Sequence, residues 1–405
     1  MASVTETATG NTSKTPAIVG GKPAFEQLLP IVRPTLPKYD ELAGEISEIV
    51  GSGMVTRGRH LRAFEEAAAE HLRVKHAIAV SSCTTGLMLV YQGLDLRGDI
   101  VAPSFTFMAT ISSAIWAGLR PVLVDADRRT HNIDPTAIER AITPKTTAIV
   151  AVHQFGNPAD IGALEKIAKR HGLKLVFDAA HGFGAKYQGV PVGPQGDAHV
   201  YSLSPTKLVV AGEGGIVATN SDELAERVRR GREYGMGNAY DSLFAGINAR
   251  MSEFHACLGR HSLAMLERHA ARRQEVVALF RRELGQLPGI GFQEVASGDR
   301  CSYKDFSLTI DETAFGLTRD ELARALAAEN IDTRKYYDPP VHRQTAYRQF
   351  APPDGQLKVT DWLAASSLSL PLWSHMSDEI AMQICRACQR IHGSAEEVRT
   401  RLSTS

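Results

Sequence analysis

From residue 59 onward the apolar positions alternate between two periods. Stretches with helical spacing (RHLRAFEEAAAEHL, TTGLMLVYQGL, FMATISSAIWAGL and ADIGALEKIAKRHG) are interleaved with short apolar runs (HAIAVSS, DIVAPSF, RPVLVDAD, TTAIVAVHQF and KLVFDAA). Such β-α repetition predicts a mainly parallel sheet covered by helices. Runs such as AIVAVH and KLVFDA are apolar throughout, as strands buried on both faces are. The expected fold class is therefore α/β, a three-layer sandwich. Beyond residue 200 the pattern changes to the short strands HVYSL and GGIVATN and the helix DELAERVRRGREYG. A long helical stretch follows, from SEFHACLGRHSLAMLERHAARRQEVVALFRREL, and reads as a connector. A strand at YKDFSLTI, a helix at TRDELARALAAEN and a last helix near 377–392 then predict a smaller C-terminal α+β domain. The expected division is a flexible tail over 1–22, a large domain over 23–262 and a small domain over 263–405.

Composition narrows the function classes. The 405 residues are 43% hydrophobic and 22% charged, as in a soluble globular protein of more than one core. The 45 basic and 45 acidic side chains cancel, so no global field gathers nucleic acid or an anionic membrane, and neither is an expected partner. No run reaches the roughly 18 apolar residues of a membrane span. The Ser-, Thr- and Ala-rich start lacks the apolar core of a signal peptide, and five cysteines suit no disulfide framework. The expected location is the cytoplasm. Cys385 and Cys388 form a C-x-x-C pair, but no second pair stands at metal spacing, so they are read as helix core and no metal is expected. The arginine pairs at 272–273 and 281–282 are read as solvated helix faces. His153, after an apolar strand, is either a satisfied strand-end histidine or a site residue.

Ligands of open α/β sheets collect at the carboxyl ends of strands, so the residues just after each strand are the first candidates. SSCTTGL after HAIAV offers hydroxyls and free helix N–H groups to a phosphate, or is an ordinary N-cap. Asp178, ending KLVFD, is a carboxylate at a poorly solvated position that calls for a cationic partner, a cap or an ion pair. Lys207 lies in a loop of small residues, VYSLSPTKLVVAGEGG, between two apolar strands. A lysine beside bound phosphate and a cationic ring has a lowered pKa and becomes a nucleophilic amine.

Together with TRGRHLRAFEE, PSFTFMAT, PVLVDADRRTHNID, VHQFGNPADI, DAAHGFGA and GINARMSE, these segments resemble, in order, the DegT/DnrJ/EryC1/StrS aminotransferases. The resemblance runs from GGKPAF at residue 20 to SLSLPLWSHMSDEI near residue 380. It implies the fold-type I PLP-transferase architecture, pyridoxal 5'-phosphate (PLP, alternating with its amine form PMP) as cofactor, and a place in deoxyaminosugar and antibiotic biosynthesis. It also implies amino transfer from an amino acid, L-glutamate in the first case, to a nucleotide-linked keto sugar. The preferred case is a dTDP-4-keto-6-deoxyhexose aminated at C4, with a 3-keto sugar or a keto-cyclitol as alternatives. By the same resemblance Lys207 is the Schiff-base lysine and catalytic base, and Asp178 partners the pyridine nitrogen. Thr84, the backbone beside Cys83 and Ser202 hold phosphate. Phe107 and Ala180 flank the ring, His181 lies near its hydroxyl, and Asn248 reaches the phosphate of a neighbouring subunit in a homodimer with shared sites. Tyr337 and His342 are candidates for substrate contact. Many relatives carry glycine where this chain has Cys83, which puts the phosphate contact there in question. A PLP-dependent sugar dehydratase, in which histidine replaces the lysine, is the nearest rival, and a non-catalytic regulatory protein on the same scaffold is a rival of another class.

Overall fold

The structure, a computed structural model, describes residues 14–238 and 240–404. Its strands are β1 (His76–Val80), β2 (Asp99–Pro103), β3 (Arg120–Val124), β4 (Thr146–Val152), β5 (Lys174–Asp178), β6 (Lys186–Tyr187), β7 (Val190–Pro191), β8 (Ala198–Ser202), β9 (Gly215–Thr219), β10 (Ile290–Phe292), β11 (Phe306–Ile310) and β12 (Ser367–Leu370). Seven of them form one sheet in the order β1-β9-β8-β5-β4-β2-β3. β9 runs antiparallel to β1 and β8, and the pairs from β8 to β3 are parallel. β1 therefore points the same way as β8, and every strand of the sheet but β9 ends at one edge. The fold is the expected α/β architecture with a mainly parallel sheet and a smaller C-terminal part.

The unbroken apolar runs are explained by the two faces of this sheet. Successive residues of β1 feed different cores, Ala77 and Ala79 on one side and Ile78 and Val80 on the other. The first face is covered by α2 (Arg59–Leu72) with Leu61, Phe64 and Leu72; α1 (Tyr39–Ser52) precedes it. The second face is covered by α3 (Cys83–Gly93) and α4 (Met108–Trp116) with Leu87, Val90 and Ile111. Each fully buried side chain of this size stabilises by about 1.5–3 kcal/mol. Close approach has a sequence cause: a Cβ on Gly86 would stand 2.7 Å from Val200 Cγ1, so α3 lies flat on β8 only because residue 86 is glycine.

Four further helices, α5 (Pro135–Ala141), α6 (Ile161–His171), α7 (Asp222–Gly231) and α8 (Glu253–Ala264), complete the layers before α9 (Leu266–Leu284). The long helical stretch is thus two helices, broken at Met265. Leu266 and Ala270 of α9 belong to the sheet's core, whereas Val276, Phe280 and Leu284 belong to a second core around β10–β12. That second core also takes Ala24, Phe25 and Leu29, and Ile18 and Val19 pack against it. Residues 1–13 of the expected tail lie outside the described residues.

Cys385 and Cys388 are buried helix core, as read from their spacing. The arginine pairs need a correction. Arg282 is solvated, but Arg273 is only 2% exposed and donates hydrogen bonds to Ser374 Oγ and the carbonyls of Tyr303 and Lys304. Arg281 reaches the Gln293 carbonyl and lies over the Phe292 ring. Helical spacing locates a face; only the segment 301–305 folding back onto α9 decides that this face is covered.

Candidate active site

The carboxyl ends of the parallel strands open into a cavity of about 320 Å³. β5 brings Asp178 to it, the turn after β5 brings Ala180 and His181, β8 brings Ser202, and the β8–β9 loop brings Lys207. The start of α3 adds Cys83 and Thr84, and Phe107, the residue before α4, stands at the rim with half its surface exposed. Tyr337 closes part of the opposite wall. Asn248 and His342 do not line this cavity. Asn248 is exposed in the loop after α7, bridged to Glu233. Both nitrogens of His342 are engaged, Nδ1 with Ser104 Oγ at 2.8 Å and Nε2 with Asp361 Oδ1 at 3.0 Å.

Asp178 is buried and held from several sides. Thr110 donates to Oδ2 at 2.7 Å, and the Ala180 N–H and the Cys83 thiol donate to Oδ1 at 3.1 and 3.7 Å. Burial raises its pKa, opposed by these bonds and by the charge of Lys207. Burial also acts on Lys207, and with the ammonium of Lys304 beside it brings its pKa down to about 8. A lysine there carries a substantial fraction of neutral, nucleophilic amine near neutral pH.

At the phosphate end, Ser82 caps α3 with its side chain on the Thr85 N–H, while Thr85 returns a bond to the Ser82 N–H. The N–H groups of Cys83 and Thr84, in the first turn of the helix, have no acceptor within it, and both residues line the cavity, so an anion there would be stabilised. Cysteine at 83 does not obstruct this, because its Sγ turns to the Val200 carbonyl at 3.3 Å and to Asp178. Burial and then the Asp178 charge push this thiol well above its usual pKa, so it stays protonated. The GEGG segment has a steric role here. A Cβ on Gly215 would come within 2.8 Å of the Ser82–Cys83 backbone, so only glycine lets β9 pass behind the anion site.

These residues fit a phosphate-bearing pyridine cofactor. His181 Nδ1 is buried without a partner in the cavity wall, burial holding this imidazole neutral, and Asp178 offers a buried carboxylate to a ring cation. Lys304, Asp305 and Tyr336 line the site and Thr110 reaches it through Asp178, and the sequence reading singled out none of the four, although Thr110 ends the motif PSFTFMAT. Lys304 Nζ pairs with both Asp305 oxygens at 2.8 and 2.9 Å, and the pair lies on the wall shared with Tyr336 and Lys207. His153 does not line the cavity: its Nδ1 accepts from the Ala159 N–H and its ring stacks on Phe177 and His199, while its buried Nε2 has no hydrogen-bond partner among the described residues. Elsewhere, Glu45, His60 and Cys257 bring ligand atoms within 4.8 Å of one another, a grouping their spacing does not reveal, and Arg260 and His261 already bond the Glu45 carboxylate.

Comparison with known proteins gives concordant matches. The model of the DegT/DnrJ/EryC1/StrS aminotransferase family matches residues 38–389. The dTDP-3-amino-3,4,6-trideoxy-alpha-D-glucose transaminase of Streptomyces venezuelae is 36% identical over 356 residues, 86% of this chain and 92% of that protein. Among solved structures, DesI in the presence of its TDP-sugar product superposes with a TM-score of 0.88 at 35% identity, covering 96% of this chain and 98% of the other. S. venezuelae DesV does so with a TM-score of 0.83 at 34% identity, covering 91% and 99%.

Proposed function

The chain belongs to the DegT/DnrJ/EryC1/StrS aminotransferase family and is a PLP-dependent aminotransferase, and on that premise we propose that it moves an amino group from L-glutamate to a nucleotide-linked keto sugar. The preferred acceptor is a dTDP-4-keto-6-deoxyhexose, aminated at C4. The observation that carries this reading is the meeting of Lys207, Asp178 and the α3 N-terminus in one buried cavity. Support for a nucleotide sugar comes from DesI, solved with a TDP-sugar product.

Bound PLP supplies an electron sink for the bond to the donor Cα proton. The chain's own residues do the rest. Lys207 would hold the cofactor and, as a neutral amine, would carry the proton at the donor Cα. Asp178 keeps the ring nitrogen protonated. The Cys83 and Thr84 N–H groups and the Ser202 hydroxyl would hold the phosphate, and Phe107, Ala180 and His181 would hold the ring. Retention of the lysine speaks against the dehydratase, and the joint presence of Lys207, Asp178 and Ser202 in one cavity against a purely regulatory protein.

The working unit in this reading is a homodimer with shared sites. Phe107 and Met108 expose large apolar surfaces beside the cavity, as do Tyr234, Tyr240 and Leu243 near Asn248, a pattern suited to burial against a second copy. A reducing, cytoplasmic setting agrees with five free cysteines.

The alternative, amination at C3, draws support from the 3-amino sugar in the name of the S. venezuelae relative. Glutamate-dependent amination of a panel of keto sugars decides between them. The preferred reading requires turnover of the 4-keto sugar above that of the 3-keto sugar, and turnover of neither removes both.

A further inference from the structure

The cavity receives two unlike molecules in turn. An amino-acid donor always brings a carboxylate, and a sugar ring does not. A carboxylate entering a site screened from water needs a cationic partner. Among the lining residues the lysines are Lys207 and Lys304, and Lys207 is committed to the cofactor. The Lys304 and Asp305 side chains are only 7% and 9% exposed, and the ammonium sits 5.3 Å from the centroid of the Tyr336 ring. Its backbone is fixed at both ends. The N–H donates to the Phe155 carbonyl at 2.9 Å, and the carbonyl accepts from buried Arg273 at 2.9 Å. The flexible part is the four-carbon stem, which can turn the ammonium without moving the chain.

We propose that Lys304 is the donor-carboxylate site of this enzyme. Its ammonium exchanges Asp305 for a carboxylate of the amino-acid donor, and returns to Asp305 when the sugar ring fills the same space. The proposal rests on the amino-acid-to-sugar reading above. It accounts for a buried pair where a lone cation would serve the donor alone. Paired, Lys304 and Asp305 leave no net charge on the wall the sugar meets; unpaired, they present a cation with short reach. Both charges are felt at the Lys207 amine, Lys304 pushing its pKa down and Asp305 up, as expected of groups alongside the reacting nitrogen.

The test is titration calorimetry of the cofactor-loaded enzyme with glutarate, a dicarboxylate without an amino group to transfer. Lys304→Met is expected to weaken glutarate by about 10- to 100-fold, the loss of one charge-assisted bond. Asp305→Asn is expected to tighten it severalfold, because the competing carboxylate is gone. Unchanged affinity in Lys304→Met overturns the proposal. So does equal weakening in both variants, which would mark the pair as a structural bridge only. Lys304→Met combined with Asp305→Leu removes both buried charges at once and so spares the fold an orphaned ion. That protein must also lose glutarate affinity, and full retention refutes the assignment. Failure of the sugar reading shows instead in the acceptor panel and leaves these titrations untouched.

Discussion

Thr110 donates its hydroxyl hydrogen to Asp178 Oδ2 at 2.7 Å, and Thr106 Oγ1 lies 2.8 Å from the same hydroxyl. A helix packed against the sheet thereby aims a carboxylate that a different strand supplies. Replacing Thr110 by Val keeps the shape and removes the donor. The Asp178 pKa, already raised by burial, then rises further, and its carboxylate has less charge to offer a ring cation. The expected result is about a tenfold fall in turnover with weaker cofactor retention, measured by steady-state kinetics and by dialysis of the loaded enzyme. Wild-type values for both would show that Asp178 is aimed without Thr110.

Asp178→Asn tests the carboxylate itself. The phosphate contacts at α3 and the lysine remain, so the variant is expected to keep bound cofactor. Transamination should nevertheless slow by orders of magnitude, because the ring nitrogen loses its proton-holding partner. Near-normal turnover would remove Asp178 from the mechanism.

Asp178 and Lys207 could be picked out as candidates because they stand at or just after apolar runs read as buried strands, and strand ends in such sheets face the ligand, whereas their roles came from the family resemblance. Lys304 and Asp305 could not. They stand just before the strand FSLTI, and only the folding of the second core back over the sheet turns them toward Lys207. Thr110 was hidden for a related reason, since a hydroxyl within a helix such as FMATISSAIW reads as an ordinary interior residue until the strand beneath it is known. The Cys83 departure from glycine was visible, but the direction its side chain takes was not. The thiol turns toward Val200, which no local pattern encodes.

The pH dependence of cofactor loading follows from Lys207. Burial and then Lys304 hold its pKa at about 8, against 10.5 for an ordinary lysine. Only the neutral amine reacts, so in the cofactor-free protein loading is expected to rise about tenfold per pH unit below 8 and to level above it. Borohydride reduction followed by peptide mapping measures the adduct on the Lys207 peptide. Lys304→Met should move the break to higher pH, because a neighbouring positive charge is lost. A break that stays in place would mean that burial alone sets it, and an adduct on another lysine would displace Lys207 from its role.

Arg273→Leu addresses stability. The buried guanidinium satisfies the Tyr303 and Lys304 carbonyls and Ser374 Oγ. Leucine fills part of the volume and leaves those acceptors unpaired. A loss of about 3–5 kcal/mol is expected, read as a lower midpoint in urea unfolding followed by far-UV circular dichroism. An unchanged midpoint would mean that water or local movement satisfies the segment.

Asn248 decides whether one chain makes a complete site. It is exposed, lies outside the cavity of its own chain, and sits in a loop whose neighbours Tyr234, Tyr240 and Leu243 expose apolar surface. If that loop docks on a second copy, a two-fold pair places each Asn248 at the other's phosphate end, which is the simplest closed arrangement treating both chains alike. Lys207→Ala subunits then keep a good Asn248 but lack the reacting amine. Asn248→Glu subunits keep the amine but bring a negative charge toward the phosphate. Each homodimer is expected to be inactive, whereas their mixture should regain activity, because a heterodimer contains one site with both residues intact. Random exchange at equal concentration makes half of all dimers mixed, each with one good site of two, so recovery should approach about a quarter of wild-type activity. Subunit exchange is verified by native mass spectrometry of differently tagged chains. Complete exchange without recovery, with both parents inactive, would show that the sites are not shared, and an active monomer in solution would refute the arrangement directly.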